Sequence, residues 1–188
     1  MCIRDSSYLD TGKLYRATAK AVLDAGGNVE NEADGEAAAK LLKAEDLGDP
    51  ILKSGPIGAA ASKVSVHPKV RAALFEFQCD FAKKGGVLDG RDIGTVICPD
   101  ADVKLYVTAS QGERAKRRHK ELIGYGEDIS ETEVLAQLIE RDTRDSTREV
   151  APLKPANDAH LLDTTGMSIE EVLQAAIEMC DAVLDRNA

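Results

Sequence analysis

Apolar side chains recur along the chain in two patterns, and each pattern predicts one kind of element. Short apolar runs that end in aspartate or threonine are typical of strands entering a loop, and they lie at 7–10, 87–88, 103–108 and 160–163. Apolar residues spaced three and four apart predict helices, which begin near Thr11, Glu32, Pro68, Ser110, Ser130 and Ser168. This alternation is typical of an α/β domain with a parallel sheet.

Capping residues mark where several of these helices begin. Ser110 precedes Glu113 by three residues, which predicts a capping box, and the pairs at 130–133 and 168–171 have the same spacing. Residues 46–56 predict a loop, followed by a run of small side chains. We expect 87–88 to form a buried strand. We also expect the last helix to be structural through an apolar stripe of Ile169, Val172, Leu173, Ala176, Ile177, Cys180, Val183 and Leu184.

Composition and charge narrow the classes of partner. The chain has 188 residues, 43% hydrophobic and 30% charged, which is ordinary for one globular domain with a core. Its net charge of −9 argues against a nucleic-acid polymer or an anionic membrane as partner, and no apolar run is long enough to span a membrane. The four cysteines and three histidines are scattered, so we predict no zinc site, no disulfide framework and a cytoplasmic location.

The segment 86–95, GVLDGRDIGT, is the densest concentration of candidate chemistry. Arg91 lies between Asp89 and Asp92 in a glycine-bracketed loop that directly follows a predicted strand. Open α/β sheets bind ligands at the carboxyl ends of their strands, which favours a ligand site here. A polar turn with a surface ion pair is the simpler interpretation of this segment taken alone.

Two predicted helices carry arginines on one face. Arg114, Arg117 and Arg118 have i, i+3 and i+4 spacing and therefore share a face. A second stripe, provided that its helix persists far enough, consists of Arg141, Arg144, Asp145 and Arg148. Clustered arginines repel one another unless a bound anion or a nearby carboxylate neutralises their charge. Spacing alone leaves open an anion site and a surface helix with ion pairs.

The tripeptide Asp10-Thr11-Gly12 also occurs in aspartic proteases. Those enzymes place it in a β-hairpin, whereas here an alanine-rich helix follows directly. The sequence context therefore disfavours a protease.

Five segments, in this order, resemble bacterial cytidylate kinases: YLDTGKLYRA, AAASKVSVHPKVR, LDGRDIGTVICPDADVKLYVTAS, ERAKRR and IERDTRDSTREVAPL. The resemblance runs from about Tyr8 to the C-terminus, and DGRDIGTV and RDTRDSTR are specific to this family. It implies phosphorylation of CMP and dCMP by ATP. It further implies a three-layer α/β fold of the P-loop nucleoside-monophosphate kinases over 1–188, with a CMP-binding insert at 29–84 and a mobile lid at 113–148.

The resemblance also assigns roles to individual residues. Cytosine presents an amino donor beside two acceptors, and the positions that read it are matched by Ser62, Arg71 and Asp92. Positions that hold the monophosphate or sugar are matched by Arg16, Arg91, Arg141, Arg148 and Asp145, and Thr11 and Tyr15 complete the predicted CMP site. The lid residues that close on the ATP phosphates are Arg114, Arg117 and Arg118. Because phosphoryl transfer depends on alignment and charge neutralisation, the predicted catalytic residues are Arg117, Arg118, Arg141 and Arg148.

One family feature is missing from the 188 residues, the glycine-rich loop G-x-x-x-x-G-K-[ST] with the strand that precedes it. The Gly12-Lys13 pair is followed by Leu14, and Ser7 stands where the first glycine is required. We therefore expect an N-terminally truncated chain that lacks the central first strand and begins with six foreign residues, 1–6. We expect it to be inactive, with no ligands for the Mg²⁺ that accompanies ATP.

Two other functions remain open at this point. The chain could be a non-catalytic CMP-binding module, which would bind CMP without turnover. It could also be a kinase for another substrate such as UMP or shikimate, on fold analogy alone. We expect small-molecule nucleotides as partners and a monomeric state.

Overall fold

The computed structural model describes residues 7–185, and the chain divides into two compact units. The first comprises the described residues of Met1–Ile93 with Thr147–Pro152, and the second those of Gly94–Ser146 with Leu153–Ala188. The start predicted to be foreign, residues 1–6, lies outside the described residues. Within residues 7–185, no helix is both long and apolar enough to cross a membrane.

Strands occur at all four predicted positions, in two parallel pairs. In the first unit β1 (Tyr8–Asp10) pairs with β2 (Val87–Asp89), and in the second β3 (Leu105–Thr108) pairs with β4 (His160–Asp163). Parallel pairing through helical crossovers agrees with the predicted α/β class. The predicted single sheet is present in residues 7–185 as two separate two-stranded sheets. The prediction of a buried strand at 87–88 is wrong, since Val87 is 40% exposed; burial of a strand requires helices packed over its face, not only a paired neighbour.

The helices largely follow the predicted starts. The α-helices of the described chain are α1 (Thr11–Asp24), α2 (Glu32–Leu41), α3 (Gly55–Val64), α4 (Pro68–Lys83), α5 (Gln111–Gly124), α6 (Glu131–Thr147) and α7 (Ile169–Leu184). The sequence analysis missed α3, whose small residues have no amphipathic period. The predicted loop contains two 3₁₀ helices, Ala44–Gly48 and Pro50–Lys53, and a π-helical turn spans Ile93–Ile97.

Two of the three predicted capping boxes are complete, those at 130–133 and 168–171. At the third, Ser110 Oγ accepts a bond from the backbone N–H of Glu113 at 3.3 Å. The Glu113 carboxylate instead accepts a bond from Arg117 Nε at 3.0 Å. Because Glu113 pairs with Arg117, its carboxylate does not accept the bond from the Ser110 backbone N–H that would complete the capping box.

Helices α1, α3 and α4 enclose the core of the first unit. Leu14, Val64 and Val70 are fully buried, and Leu74 is 2% exposed. Each such side chain contributes roughly 2–3 kcal/mol of burial free energy. The hydroxyl of the buried Thr18 donates to the Leu14 carbonyl at 2.8 Å, so it leaves no unpaired donor in the core. In this unit α1 packs on α3 and α2, and α2 packs on α4, so the shared core connects α1 with α4, two helices that contribute to the site described below.

The second unit has a smaller core, formed by Ala115, Leu122 and Val134 from α5 and α6. The predicted apolar stripe of α7 is only partly covered: Ile169 is 83% exposed, Leu173 is 52% exposed, and none of the helix's residues is buried in this structure. The stripe stays exposed because a two-stranded sheet is too narrow to cover the apolar face of a 16-residue helix.

Candidate functional site

The carboxyl ends of β1 and β2 meet where the glycine-bracketed loop begins. Asp10 lies opposite Asp89 in the parallel register, and Thr11 Oγ1 donates to the Asp89 carbonyl at 2.8 Å. A Cβ atom at Gly90 would lie 2.3 Å from Thr11 Oγ1, so only glycine fits at this point. The chain then passes to Asp92, whose side chain turns inward and is buried.

Asp92 is the centre of a buried ionic cluster in the first unit. One carboxylate oxygen, Oδ2, accepts a hydrogen bond from Arg71 Nη2, and Oδ1 lies 3.5 Å from Arg148 Nη2. The side chains of Arg71, Asp92 and Arg148 are 8%, 8% and 6% exposed. Breaking such a buried pair by removing one partner is costly, because the remaining charge stays desolvated. The cluster therefore holds its two guanidinium groups and its carboxylate in one fixed arrangement.

Tyr15 on α1 lies against this cluster. Its ring centroid is 5.7 Å from the guanidinium carbon of Arg71, within the range of a cation–π interaction. Burial raises the pKa of the Tyr15 hydroxyl above its usual range, and the Arg71 guanidinium opposes that shift. The phenol is therefore uncharged at neutral pH and offers both a donor and an acceptor.

A short turn places Arg148, which lies just after the end of α6. The predicted arginine stripe therefore does not extend to Arg148, since the helix stops at Thr147. Arg148 Nε donates to the Ala151 carbonyl at 2.6 Å, and Ala151 adopts the left-handed φ of 52° that closes the turn. Such a conformation costs on the order of 1 kcal/mol in a residue other than glycine, and here it accompanies a charged side chain turned inward.

The remaining predicted residues of the first unit have other surroundings. Arg16 Nη1 donates to the Leu52 carbonyl at 2.7 Å, at the end of a 3₁₀ helix. Ser62 is buried within α3, and Arg91 is exposed. The structure thus joins Tyr15 and three charged side chains in one cluster, and leaves Arg91 at the surface of the loop.

The strand ends carry a second electrostatic feature. Burial raises the pKa of Asp89, the Asp10 carboxylate opposite raises it further, and Arg91 opposes both effects. The Tyr8 hydroxyl donates to Asp89 Oδ2 at 3.5 Å, and burial together with Asp89 raises the pKa of Tyr8 to about 12. The folded state therefore disfavours ionisation of Asp89.

Replacing Asp10 with Asn is expected to stabilise the protein at neutral pH. The folded-state pKa of Asp89 is raised, so its contribution to stability is full below the unfolded pKa of about 3.9 and is lost as pH rises through the folded pKa. Removing the opposing charge should raise the free energy of unfolding at pH 7 by about 0.5 kcal/mol and leave it nearly unchanged at pH 4. Urea denaturation at both pH values measures this.

The control is Asp100→Asn, which removes an exposed carboxylate outside the strands. Asn and Asp cap helices about equally well, so the position of Asp10 before α1 does not confound the comparison. Equal effects of the two substitutions at pH 7 would contradict the interpretation of paired strand-end charges.

The arginines of α5 each have acidic or carbonyl partners within the second unit. Arg114 binds both oxygens of Asp142, at 3.1 and 2.5 Å. Arg117 donates to the hydroxyl and to the carbonyl of Thr164 at 3.0 and 2.8 Å, just beyond the end of β4. The third member, Arg118, pairs with Glu121 at 2.7 Å. The spacing had left open a surface helix with ion pairs, and these contacts are of that kind.

On α6, Arg141 Nε lies 3.7 Å from Asp145 Oδ2. Asp145 is 4% exposed, and its backbone carbonyl accepts a bond from Leu153 N–H at 2.8 Å. Arg144 pairs with Glu140 one turn earlier. Asp145 is thus the buried acid of the second unit, as Asp92 is of the first.

The first-unit cluster can recognise a ligand edge that mixes donors and acceptors. A carboxylate accepts from an amino group, whereas guanidinium groups donate to ring nitrogens, carbonyls or phosphate oxygens. No group of three or more His, Cys, Asp or Glu side chains in the described part of the chain is arranged to hold a metal ion. The carboxylate and guanidinium groups of the cluster favour a small polar or anionic organic ligand.

The sequence analysis did not single out one buried polar residue beside this cluster, Gln78. It lies on α4, seven residues after Arg71, and is 2% exposed. The available signal was a glutamine four residues after Leu74, on the apolar face of that helix.

Comparison with known proteins points to one family. A family model described as cytidylate kinase matches residues 4–182. The chain is 52% identical over 178 residues to the cytidylate kinase of Rhodopseudomonas palustris (strain BisB18), covering 94% of this chain and 84% of the relative. It is 53% identical over 182 residues to that of Nitrobacter winogradskyi, covering 96% of this chain and 86% of the relative. The cytidylate kinase of Rhizobium meliloti (strain 1021) is 53% identical over 179 residues, covering 94% of this chain and 84% of the relative.

Proposed function

The chain belongs to the cytidylate kinase family of phosphotransferases, and from this premise we propose that it binds CMP or dCMP as phosphoryl acceptor and ATP as donor. The observation that carries the proposal is the buried Arg71–Asp92–Arg148 cluster with Tyr15 against it. It provides an acceptor and several donors in one fixed place, and the family membership supports cytosine as the base that these groups recognise.

Cytosine recognition follows from the chemistry of these groups. The exocyclic amino group donates, and the ring nitrogen and carbonyl beside it accept. Asp92 supplies the acceptor, Arg71 supplies donors, and the Ser62 hydroxyl is the third group of the proposed set. Uracil presents a carbonyl where cytosine has its amino group, so it would place an acceptor against the Asp92 carboxylate. This mismatch is the proposed basis of selectivity.

The proposed monophosphate and sugar contacts come from other guanidinium groups. Arg91 is exposed at the strand-end loop, which leaves its guanidinium accessible to a phosphate. Two further guanidinium groups of the first unit, those of Arg16 and Arg148, are proposed to bind phosphate oxygens. Arg148 also pairs with Asp92. The roles of Arg141 and Asp145 toward the phosphate and a sugar hydroxyl stay predictions from the resemblance to the family. The hydroxyls of Thr11 and Tyr15 complete the proposed CMP site.

We propose that 29–84 is the CMP-binding insert and 113–148 the lid over ATP. The lid arginines are Arg114, Arg117 and Arg118, and phosphoryl transfer depends on such groups to neutralise the charge on the transferred phosphate. Arg117 now donates to Thr164, so closure on a phosphate would exchange those bonds for bonds to phosphate oxygens. Exclusion of water by the closed lid protects the phosphoryl group from hydrolysis.

Magnesium accompanies ATP in phosphoryl transfer, where it neutralises charge on the phosphates. Protein magnesium sites use one or two carboxylates together with substrate oxygens. Two carboxylates, those of Asp10 and Asp89, lie on paired strand ends in the first unit. None of the roles proposed above depends on a magnesium site there. Cytoplasmic location and a monomeric state stay predictions.

We further propose that the 188-residue polypeptide binds CMP but has negligible kinase turnover. Its sequence has no G-x-x-x-x-G-K-[ST] motif, and Gly12 and Lys13 lie within the first turn of α1 rather than in a loop. Backbone N–H groups that would cradle the β-phosphate are therefore not supplied by this pair.

Calorimetric titration of the protein with CMP tests the proposed substrate. We expect micromolar binding of CMP and binding of UMP at least about tenfold weaker, since one mispaired polar edge costs roughly 1–3 kcal/mol. Shikimate, which has no base, should not bind. Equal affinity for CMP and UMP would contradict the cytosine assignment, and the absence of any nucleotide binding would contradict the proposed function as a whole.

A further inference from the structure

A buried threonine, Thr164, lies where the carboxyl ends of β3 and β4 meet in the second unit. It directly follows β4 and is 4% exposed. Its hydroxyl donates to the carbonyl of Thr108, the last residue of β3, at 2.9 Å, and its backbone N–H donates to the same carbonyl at 2.8 Å. The hydroxyl proton is therefore directed at β3, and the oxygen lone pairs can accept from another group.

Arg117 on α5 donates to this oxygen. Its Nη1 lies 3.0 Å from Thr164 Oγ1, and its Nη2 donates to the Thr164 carbonyl at 2.8 Å. Its Nε donates to Glu113 Oε1 at 3.0 Å, one turn earlier on the same helix. These bonds use three of the five N–H groups of a guanidinium, one on each nitrogen. Arg117 is thus held in one orientation between its own helix and the residue that follows β4.

The carbonyl of Thr164 is positioned by a turn. It accepts from the backbone N–H of Met167 at 3.1 Å, and Gly166, the third residue of this turn, has a left-handed φ of 74°. Both oxygens that Arg117 contacts are therefore held in place by partners other than Arg117. Because they are already placed, they compete with a phosphate for the same guanidinium.

We propose that Thr164 is a latch, which holds the lid arginine Arg117 at the carboxyl ends of β3 and β4 and so opposes the transfer of that arginine to the ATP phosphates. The inference rests on the proposed function, since it describes regulation of the same lid. The side chain of Arg117 is 42% exposed, so a phosphate can reach it. Apparent affinity falls with the fraction of protein that is competent to bind. The latch therefore lowers the apparent affinity for ATP.

The first test removes the hydroxyl and keeps the shape of the side chain. Thr164→Val eliminates the bond from Arg117 Nη1, while the Thr108 carbonyl keeps its bond from the backbone N–H of residue 164. The dissociation constant for ATP, measured by calorimetry, should fall about fivefold, because one hydrogen bond is worth about 1 kcal/mol.

Three further variants support this measurement. Thr164→Ser keeps the hydroxyl and should retain the wild-type dissociation constant. Thr143→Val is the matched control, since Thr143 is exposed on α6 and its hydroxyl donates to the Ile139 carbonyl of the same helix at 2.9 Å. It should leave the dissociation constant unchanged. Thr164→Ala serves as the second test variant should the valine variant fail to fold.

The second test asks whether the gain in ATP affinity passes through Arg117. In a double-mutant cycle, Thr164→Val should strengthen ATP binding in the wild-type background and have no effect in an Arg117→Ala background. The ¹⁵Nε–¹H resonance of Arg117, assigned by its loss in Arg117→Ala, should shift in the ligand-free Thr164→Val protein.

The outcomes distinguish the latch from the proposed function. An ATP dissociation constant that is unchanged or raised in Thr164→Val would overturn the latch and leave the proposed function intact. The same holds for an equal gain in the Arg117→Ala background and for an unmoved Arg117 resonance. Failure of every variant and of the wild-type protein to bind ATP would overturn the proposed role of ATP as donor, and the latch with it.

Discussion

Replacing Asp92 with Asn is expected to weaken CMP binding about 100-fold, which corresponds to about 2.7 kcal/mol. Two effects act in the same direction. The substitution removes the proposed charge-assisted acceptor for the cytosine amino group, a bond worth roughly 1.5–3 kcal/mol. It also leaves the Arg71 and Arg148 guanidinium groups, whose side chains are 8% and 6% exposed, without their shared carboxylate. Calorimetry with CMP measures the change.

The ratio of CMP to UMP affinity is the sharper readout, because loss of stability lowers both affinities alike. The side-chain amide that Asp92→Asn introduces can donate to a uracil carbonyl, so the preference for CMP should fall or reverse. Asp145→Asn is the matched control, since Asp145 is a buried acid paired with an arginine in the other unit. It should leave the ratio unchanged. If the Asp92→Asn variant keeps the wild-type ratio, the proposal that Asp92 recognises cytosine is wrong.

Local features of the fold were predictable from sequence. The strand at 160–163 and the capping box at 168–171 depend on residues a few positions apart, and both occur as predicted. Helix α3 was missed because Ala59, Ala60 and Ala61 give no amphipathic period. The burial of the α7 stripe could not be predicted, because it depends on how much sheet surface lies against that helix.

In the candidate site, residues close together in sequence were predictable, whereas contacts between distant segments were not. The strand-end loop with Asp92 was identified from its own residues, by glycines and charge after an apolar run. Arg71 carries no such signal, because a single arginine off the apolar face of a helix usually lies in solvent. Only the resemblance to cytidylate kinases singled it out, and its contact with Asp92 spans 21 residues of sequence.

Kinase turnover by the 188-residue polypeptide is expected to be at least about 1,000-fold below that of the cytidylate kinase of Rhizobium meliloti (strain 1021). Removing a single donor from a charge-stabilising site costs about 100- to 1,000-fold in rate, and here a whole motif of donors and its lysine is missing from the sequence. An ADP-release assay with CMP and ATP measures turnover, with the Rhizobium meliloti cytidylate kinase, 53% identical, as positive control.

CMP binding and kinase turnover depend on different residues, so the two quantities can change independently. The Asp92 cluster lies within one compact unit, so the CMP contacts proposed for it do not require bound ATP. CMP titration on the sample used for the assay establishes that the protein is folded and competent to bind. Binding without turnover is the expected result. Turnover within about tenfold of the relative would mean that other residues of this chain hold the ATP phosphates, and the lid arginines Arg114, Arg117 and Arg118 would be the first to test by substitution.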